Sequence, residues 1–90
     1  MNCQYLGPAD NVDNLGSRSL AAYFRAAQKE GVSASIPTEP ILVTDGKHEY
    51  VALHNHSQIL AVYRVQNNRA LRRMKRPPKC IAEILGIEGL

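Results

Sequence analysis

The sequence predicts an α+β domain: an N-terminal helix, an antiparallel β-meander of three to four strands and a short C-terminal helix. Three observations carry this. Apolar residues recur at helical spacing between Ser17 and Gly31, and β-rich runs separated by Asp45-Gly46 and by Asn55 to Gln58 follow from Ile41 onward. Pro77-Pro78 then opens a last segment, Lys79 to Leu85, that Gly86 can close. Ninety residues with 44% hydrophobic and 21% charged content make one globular domain, residues 1–90, with one core.

Residues 1–16 mix Gly7-Pro8, Asp10-Asn11 and Asp13-Asn14 without a period and read as an irregular arm, with room for a short strand around Cys3 to Leu6. The helix occupies 17–31. Ser17 or Ser19 caps it, Leu20, Tyr23, Phe24 and Ala27 share one face, Arg25, Gln28 and Lys29 face water, and Gly31 stops it. Val32 to Pro40 contains two prolines and a Ser-Ala-Ser run, which forbid a helix and make this segment an extended crossing.

The meander occupies 41–76. Asp45-Gly46 supplies the positive φ angles of a type I′ turn, so Ile41 is expected opposite Tyr50 and Val43 opposite His48. A four-residue reversal at Asn55 to Gln58 then sets Tyr50 against Tyr63 and Ala52 against Ala61. Gln66-Asn67-Asn68 is a third reversal, because Asn tolerates the left-handed region. Arg69 to Arg76 fits either a fourth strand or a short helix capped by Asn68, and the succession of hairpin connections favours the strand. The last helix is expected over 78–86.

In this register one sheet face reads Ile41, Val43, Tyr50, Ala52, Ile59, Ala61, Tyr63 and Val65, and the other reads Leu42, Val51, Leu53, Leu60 and Val62. Both are apolar at their centres, unlike a sheet with one side in water. The first helix covers one face, and the short C-terminal helix or a second subunit must cover the other. A homodimer is therefore expected, with Val51, Leu53, Leu60 and Val62 at its interface, since a large exposed apolar patch is unusual on a monomer.

The charge is polarised. The chain is +3 overall, yet Tyr50 to Ala82 contains no acid and seven basic residues, six of them between Arg69 and Lys79. A field of one sign concentrates anionic partners, nucleic acid first and an acidic protein next. Arg64, Arg69, Arg72, Arg73, Lys75, Arg76 and Lys79 are the candidate nucleic-acid contacts, and arginine grips phosphate or guanine with two hydrogen bonds where lysine cannot. The plain alternative is a solvated charge run that keeps a sheet edge from aggregating. Six basic residues within eleven positions repel one another in a way that a merely solubilising surface relieves with glutamates, which favours an anionic partner. The expected function is thus a small nucleic-acid-binding protein, regulatory in type and acting on DNA or RNA. A protein-interaction module or inhibitor docking on an acidic protein is the alternative.

Enzyme chemistry is not indicated. His48, His54 and His56 lack a third ligand or base partner, Ser57 lacks a nucleophile elbow and an acid, and the glycines are dispersed, so no metal, catalytic triad, phosphate loop or cofactor is expected. Tyr50 and Tyr63 suggest a stacking platform for bases, but with one Phe and no Trp in the chain they read as core residues. No apolar run is long enough to cross a bilayer, and the N-terminus lacks a basic-then-apolar leader, so a cytoplasmic protein with no membrane partner is expected. Cys3 and Cys80 lie at opposite ends with no closely spaced partners and are expected to be reduced thiols.

Overall fold

In the computed structural model, which describes residues 3–11 and 13–87, five strands form one antiparallel sheet in chain order. They are β1 (Gln4–Pro8), β2 (Ile41–Thr44), β3 (Glu49–His54), β4 (Ile59–Val65) and β5 (Leu71–Arg73). Helix α1 (Leu15–Glu30) connects β1 to β2 and packs on one face, while α2 (Lys79–Leu85) follows β5 and packs on the other. The α+β class stands, but the helix is not the first element. Residues 4–8 of the expected irregular arm pair with β2, and a 3-10 turn, Ala9–Asn11, follows. Ala9 and Leu15 are fully buried, and the Ala9 N–H donates to the Pro40 carbonyl at 3.0 Å, so this segment is part of the core.

Helix α1 begins two residues before the serines expected to cap it. Its N-cap residue, Asn14, has a φ of 54° and makes no side-chain cap. Asp10 takes that role from outside the helix: its carboxylate accepts the Ser17 N–H at 2.7 Å and the Ser17 hydroxyl at 3.1 Å. A carboxylate here both satisfies an orphan donor and favours the positive end of the helix dipole. The approach requires glycine at position 16, where an added Cβ would lie 2.8 Å from the Asp10 oxygen. At the other end Gly31, with φ 72°, closes the helix as expected, and the Val32 N–H reaches the Ala27 carbonyl at 3.1 Å.

Two Asx turns set the register of the central strands. The Asp45 carboxylate accepts the N–H groups of Lys47 and His48 at 2.9 and 2.8 Å, and Asn55 accepts those of Ser57 and Gln58 at 2.9 and 2.8 Å. Asp45 therefore precedes the turn tip instead of forming it. Val43 faces Tyr50 and Ile41 faces Ala52, a shift of two residues from the expected pairing that leaves every side chain on its expected face. The Asn55 turn has the expected four residues and sets His54 opposite Ile59. A bulge then intervenes, because Leu53 pairs with Ala61 and leaves Leu60 as the extra residue of β4. Beyond it the register is one residue off expectation, with Val51 opposite Tyr63 and Tyr50 opposite Arg64, so every later β4 side chain changes face.

Each face has its own core. Under α1 lie Leu42, Val51, Leu53, Ala61, Tyr63 and Val65, with Leu60 packed against them. Under α2 lie Val43, Tyr50, Ala52 and Val62, against Ile81 of the helix. The four residues expected at a dimer interface are thus divided between the two cores: Val51 and Leu53 are fully buried beneath α1, and Val62 is 1% exposed beneath α2. The chain's own helices cover both faces, and a second subunit is not needed to bury these side chains.

The cysteine expectation is also overturned. Cys3 and Cys80 form a disulfide, with Cα atoms 5.4 Å apart, because β1 brings the start of the chain alongside α2. Sequence distance hid this proximity. The bond closes a loop across a separation of 77 residues and ties Cys3, just before β1, to a helix of only seven, which is too short to be stable without tertiary packing.

Two outcomes are expected. Replacing Val62 with Asp places an unpaired carboxylate in the α2 core and should lower stability by about 3 kcal/mol or more; the shift should be the same at every protein concentration, whereas separation of a dimer would depend on it. Reducing the disulfide releases a loop spanning a separation of 77 residues and should cost about 4 kcal/mol, read as a lower denaturant midpoint in a dithiol than in oxidising buffer.

Candidate nucleic-acid interface

The β4–β5 hairpin carries the basic residues and distributes them unequally. Its loop is a type I turn, closed by the Arg69 N–H donating to the Gln66 carbonyl at 2.8 Å, followed by Arg69 itself at φ 67°. Glycine usually fills this position in a three-residue hairpin loop. Arg69 is held there by long-range contacts: its Nε meets the Asp13 carboxylate at 2.7 Å, its Nη1 lies 3.7 Å from the Glu49 carboxylate, and its carbonyl accepts from the Arg18 guanidinium at 2.8 Å. Arg69 therefore ties the hairpin to the start of α1 and to β3, and its charge, though partly exposed, is already partnered by two carboxylates.

The remaining six candidates have no such partner. Among the described residues no carboxylate lies within 4.0 Å of Arg64, Arg72, Arg73, Lys75, Arg76 or Lys79. All but Arg64 are exposed. β5 is a strand, which settles the alternative left open by the sequence, and alternation along it divides the arginines. Arg73 pairs with Tyr63 on the α1 side, while Arg72 pairs with Arg64 on the α2 side. The bonds flanking this second pair, from the Gln66 N–H to Ala70 at 2.9 Å and from the Met74 N–H to Val62 at 2.8 Å, make Arg64 and Arg72 a hydrogen-bonded pair. By the same alternation the main-chain groups of Leu71 and Arg73 point to the open edge.

Arg64, Arg72, Met74 and Lys75 border a cleft of about 420 Å³, with Arg73 along its side. The Nε of Arg64 is buried and has no hydrogen-bond partner. One row of side chains crosses all five strands on this face: Tyr5, Val43, Tyr50, Arg64 and Arg72. Tyr50 donates to the Asp45 carboxylate at 3.1 Å, and burial raises its pKa, followed by this hydrogen bond, while the Arg64 charge opposes the shift. Burial also raises Tyr63, with Arg73 opposing it. Both tyrosines are 4% exposed and lie on opposite faces, so they are core residues and form no stacking platform.

Sequence reasoning named the basic residues but missed two things about them. The Arg69 network was not anticipated, although Asn68-Arg69 at a hairpin tip carried the signal of a strained, stabilised position. The face on which Arg64 lies was hidden by the bulge, and its pairing with Arg72 follows from the three-residue loop of the β4–β5 hairpin. The histidines are dispersed: His48 stacks edge-on near Tyr50 with ring centroids 6.5 Å apart, His54 lies beside Thr38, and His56 is exposed. No helix among the described residues is long and apolar enough to cross a membrane. Comparison with protein-family models, with curated proteins and with solved structures finds no match, so geometry and chemistry carry the reading.

The Asp45 turn that orders this face should leave a signature in pH. Hydrogen bonds from His48 and then Lys47 hold the Asp45 carboxyl below its ordinary value of 3.8, although the group is largely solvated and the effect correspondingly screened. A depressed folded-state pKa gives stability that is complete above the unfolded value and lost as pH falls through the folded one. Between about pH 5 and about pH 2 the parent should lose more stability than Asp45→Asn, in which the amide oxygen still accepts both N–H groups but does not titrate. Parallel denaturant midpoints for the two proteins across that range would show that Asp45 contributes nothing.

Proposed function

We propose that the protein binds nucleic acid through the β4–β5 edge and the turn leading into α2, using Arg64, Arg72, Lys75, Arg76 and Lys79, with Arg73 contributing from the opposite side of the strand. The observation that carries this reading is the unequal use of acids. Asp13 and Glu49 both serve Arg69, and the six cations around it have no carboxylate partner among the described residues. Five of these cations, Arg72, Arg73, Lys75, Arg76 and Lys79, run along the edge strand, the turn after it and the first residue of α2, with Arg64 one strand inward, an arrangement that follows a string of phosphates better than a dispersed surface charge would. The open main-chain donors of Leu71 and Arg73 are further phosphate contacts.

A cytoplasmic setting belongs to the same reading, and it bears on the disulfide. Thiol pools there reduce accessible disulfides, and while Cys80 is 5% exposed, Cys3 is only part-buried, so burial restricts thiolate attack at the Cys80 sulfur alone.

Salt dependence tests the proposal. Engaging about four or five phosphates of a duplex should give a log-log slope of binding against salt near −4, and a shallower slope of about −3 on a single strand. Charge reversal at the exposed positions Arg72 and Arg76 should weaken all sequences together if these residues touch only the backbone, with far-UV spectra confirming that the fold persists. Absence of binding to duplex, single-stranded and structured nucleic acids at low salt would overturn the proposal. Selective retention of an acidic protein in the presence of excess heparin would transfer the same surface to a protein partner.

A further inference from the structure

We infer that Arg64 and Arg72 form a seat for a single phosphate oxyanion, with Lys75 at its rim. The inference rests on the nucleic-acid reading for the natural source of the phosphate, and it goes beyond a diffuse basic field in assigning one geometric site. Arg64 and Arg72 stand directly opposite each other on adjacent strands and on the same face. Like charges in that relation destabilise a sheet. Arg64 is also half-buried, its Nε is without a partner, and no carboxylate among the described residues lies near enough to compensate either guanidinium. Leaving a charged donor desolvated and unpaired is unfavourable, and the ordinary remedy, an acid across the strand, is absent.

An oxyanion in the cleft removes both penalties. It lies between the two positive charges, and a bidentate contact uses Nε together with one Nη, so seating it is the rotation of Arg64 that satisfies the orphan donor. Phosphate fits better than carboxylate for a geometric reason. One guanidinium fork occupies an edge of a planar carboxylate and leaves only acceptor sites in that same plane, whereas a tetrahedral phosphate presents oxygens in several directions, to two forks arriving from different strands and to a lysine as well. The cleft of about 420 Å³ is ample for the group, and Met74 gives it an apolar border that strengthens the charge interactions.

The test uses the whole protein and inorganic phosphate, followed through the arginine Nε–H resonances. Saturable shifts at Arg64 and Arg72, with acetate producing none at the same ionic strength, are the expected result. Arg72→Lys, at an exposed position, should weaken phosphate about tenfold because it keeps the charge but loses the fork, and Arg64→Lys should do the same. Arg25→Lys, on the exposed side of α1, should bind phosphate as the parent does. Comparing oligonucleotides with and without a 5′-phosphate then shows whether the seat takes a chain end or an internal phosphate.

If nucleic acid fails to bind while phosphate saturates Arg64 and Arg72, the proposed function falls and the seat stands. If nucleic acid binds with the expected salt slope but phosphate shifts neither arginine, and Arg72→Lys binds as tightly as the parent, the seat is wrong and the function stands. Equal shifts with acetate would also overturn the phosphate assignment. Because the resonances are read on the parent protein, misfolding of Arg64→Lys would leave the test intact.

Discussion

The extra residue at Leu60 in β4 decides which side of the sheet the rest of the strand serves. Up to Ile59 the strand follows from the Asn55 turn, and after the bulge every side chain is exchanged between faces. Val62 enters the α2 core, Tyr63 and Val65 enter the α1 core, and Arg64 comes to lie between Tyr50 and Arg72. Without the bulge, Arg64 would fall on the α1 face, beside the residues that α1 buries. The apolar residues of the strand are therefore divided so that neither helix covers a charged row, and the charge appears where α2, a helix of seven residues, leaves room for a cleft.

The same economy governs the charged residues of the two halves. Asp10 serves the start of α1, Asp45 serves the β2–β3 turn, and Asp13 and Glu49 serve Arg69. Each of these acids lies within the first 49 residues of the chain, and each is fixed by a local or tertiary contact. Among the described residues the basic segment pairs with them only at Arg69, at the tip of its hairpin. From there the positive residues continue along β5 and into α2 with no carboxylate within 4.0 Å among the described residues. The polarity visible in the linear sequence thus survives folding, although antiparallel pairing of the two halves had every opportunity to neutralise it.

Much of the architecture was legible because local chemistry and global packing agree. Gly31 and Gly86 close their helices in the left-handed region, Pro78 opens α2, and the Asn55 loop has its expected length. The Asp-Gly pair was misplaced by one residue because an Asp side chain can organise a turn from the position before the tip, a choice that the dipeptide does not reveal. β1 was legible only as an option, since a short edge strand containing Gly7-Pro8 has little pattern of its own and depends on β2 for partners. The disulfide and the Arg69–Asp13 ion pair join residues 77 and 56 positions apart, and no periodicity encodes contacts of that range. The bulge was the costliest omission. Ile59 to Val65 reads equally well in either register because nearly all of it is apolar, so the strand's own pattern could not choose, and the four residues expected on one face are divided between two cores.

Two accounts of the basic edge make different demands on Arg64. Positive residues on an edge strand discourage pairing with another chain, and the exposed positions of β5 satisfy that need without further function. Arg64 does not belong to the edge. It sits one strand inward, where β5 already covers its backbone, and a foreign strand would never meet it. Protection of the edge therefore explains Arg72 and Arg73 but gives no reason to hold a half-buried guanidinium, with an unpaired Nε, directly behind them. A threonine or glutamine at that position would keep the strand without placing like charges face to face. The repulsion and desolvation concentrated at Arg64 become favourable only when an anion lies between the two arginines, and that is the condition under which this face of the sheet is electrostatically complete.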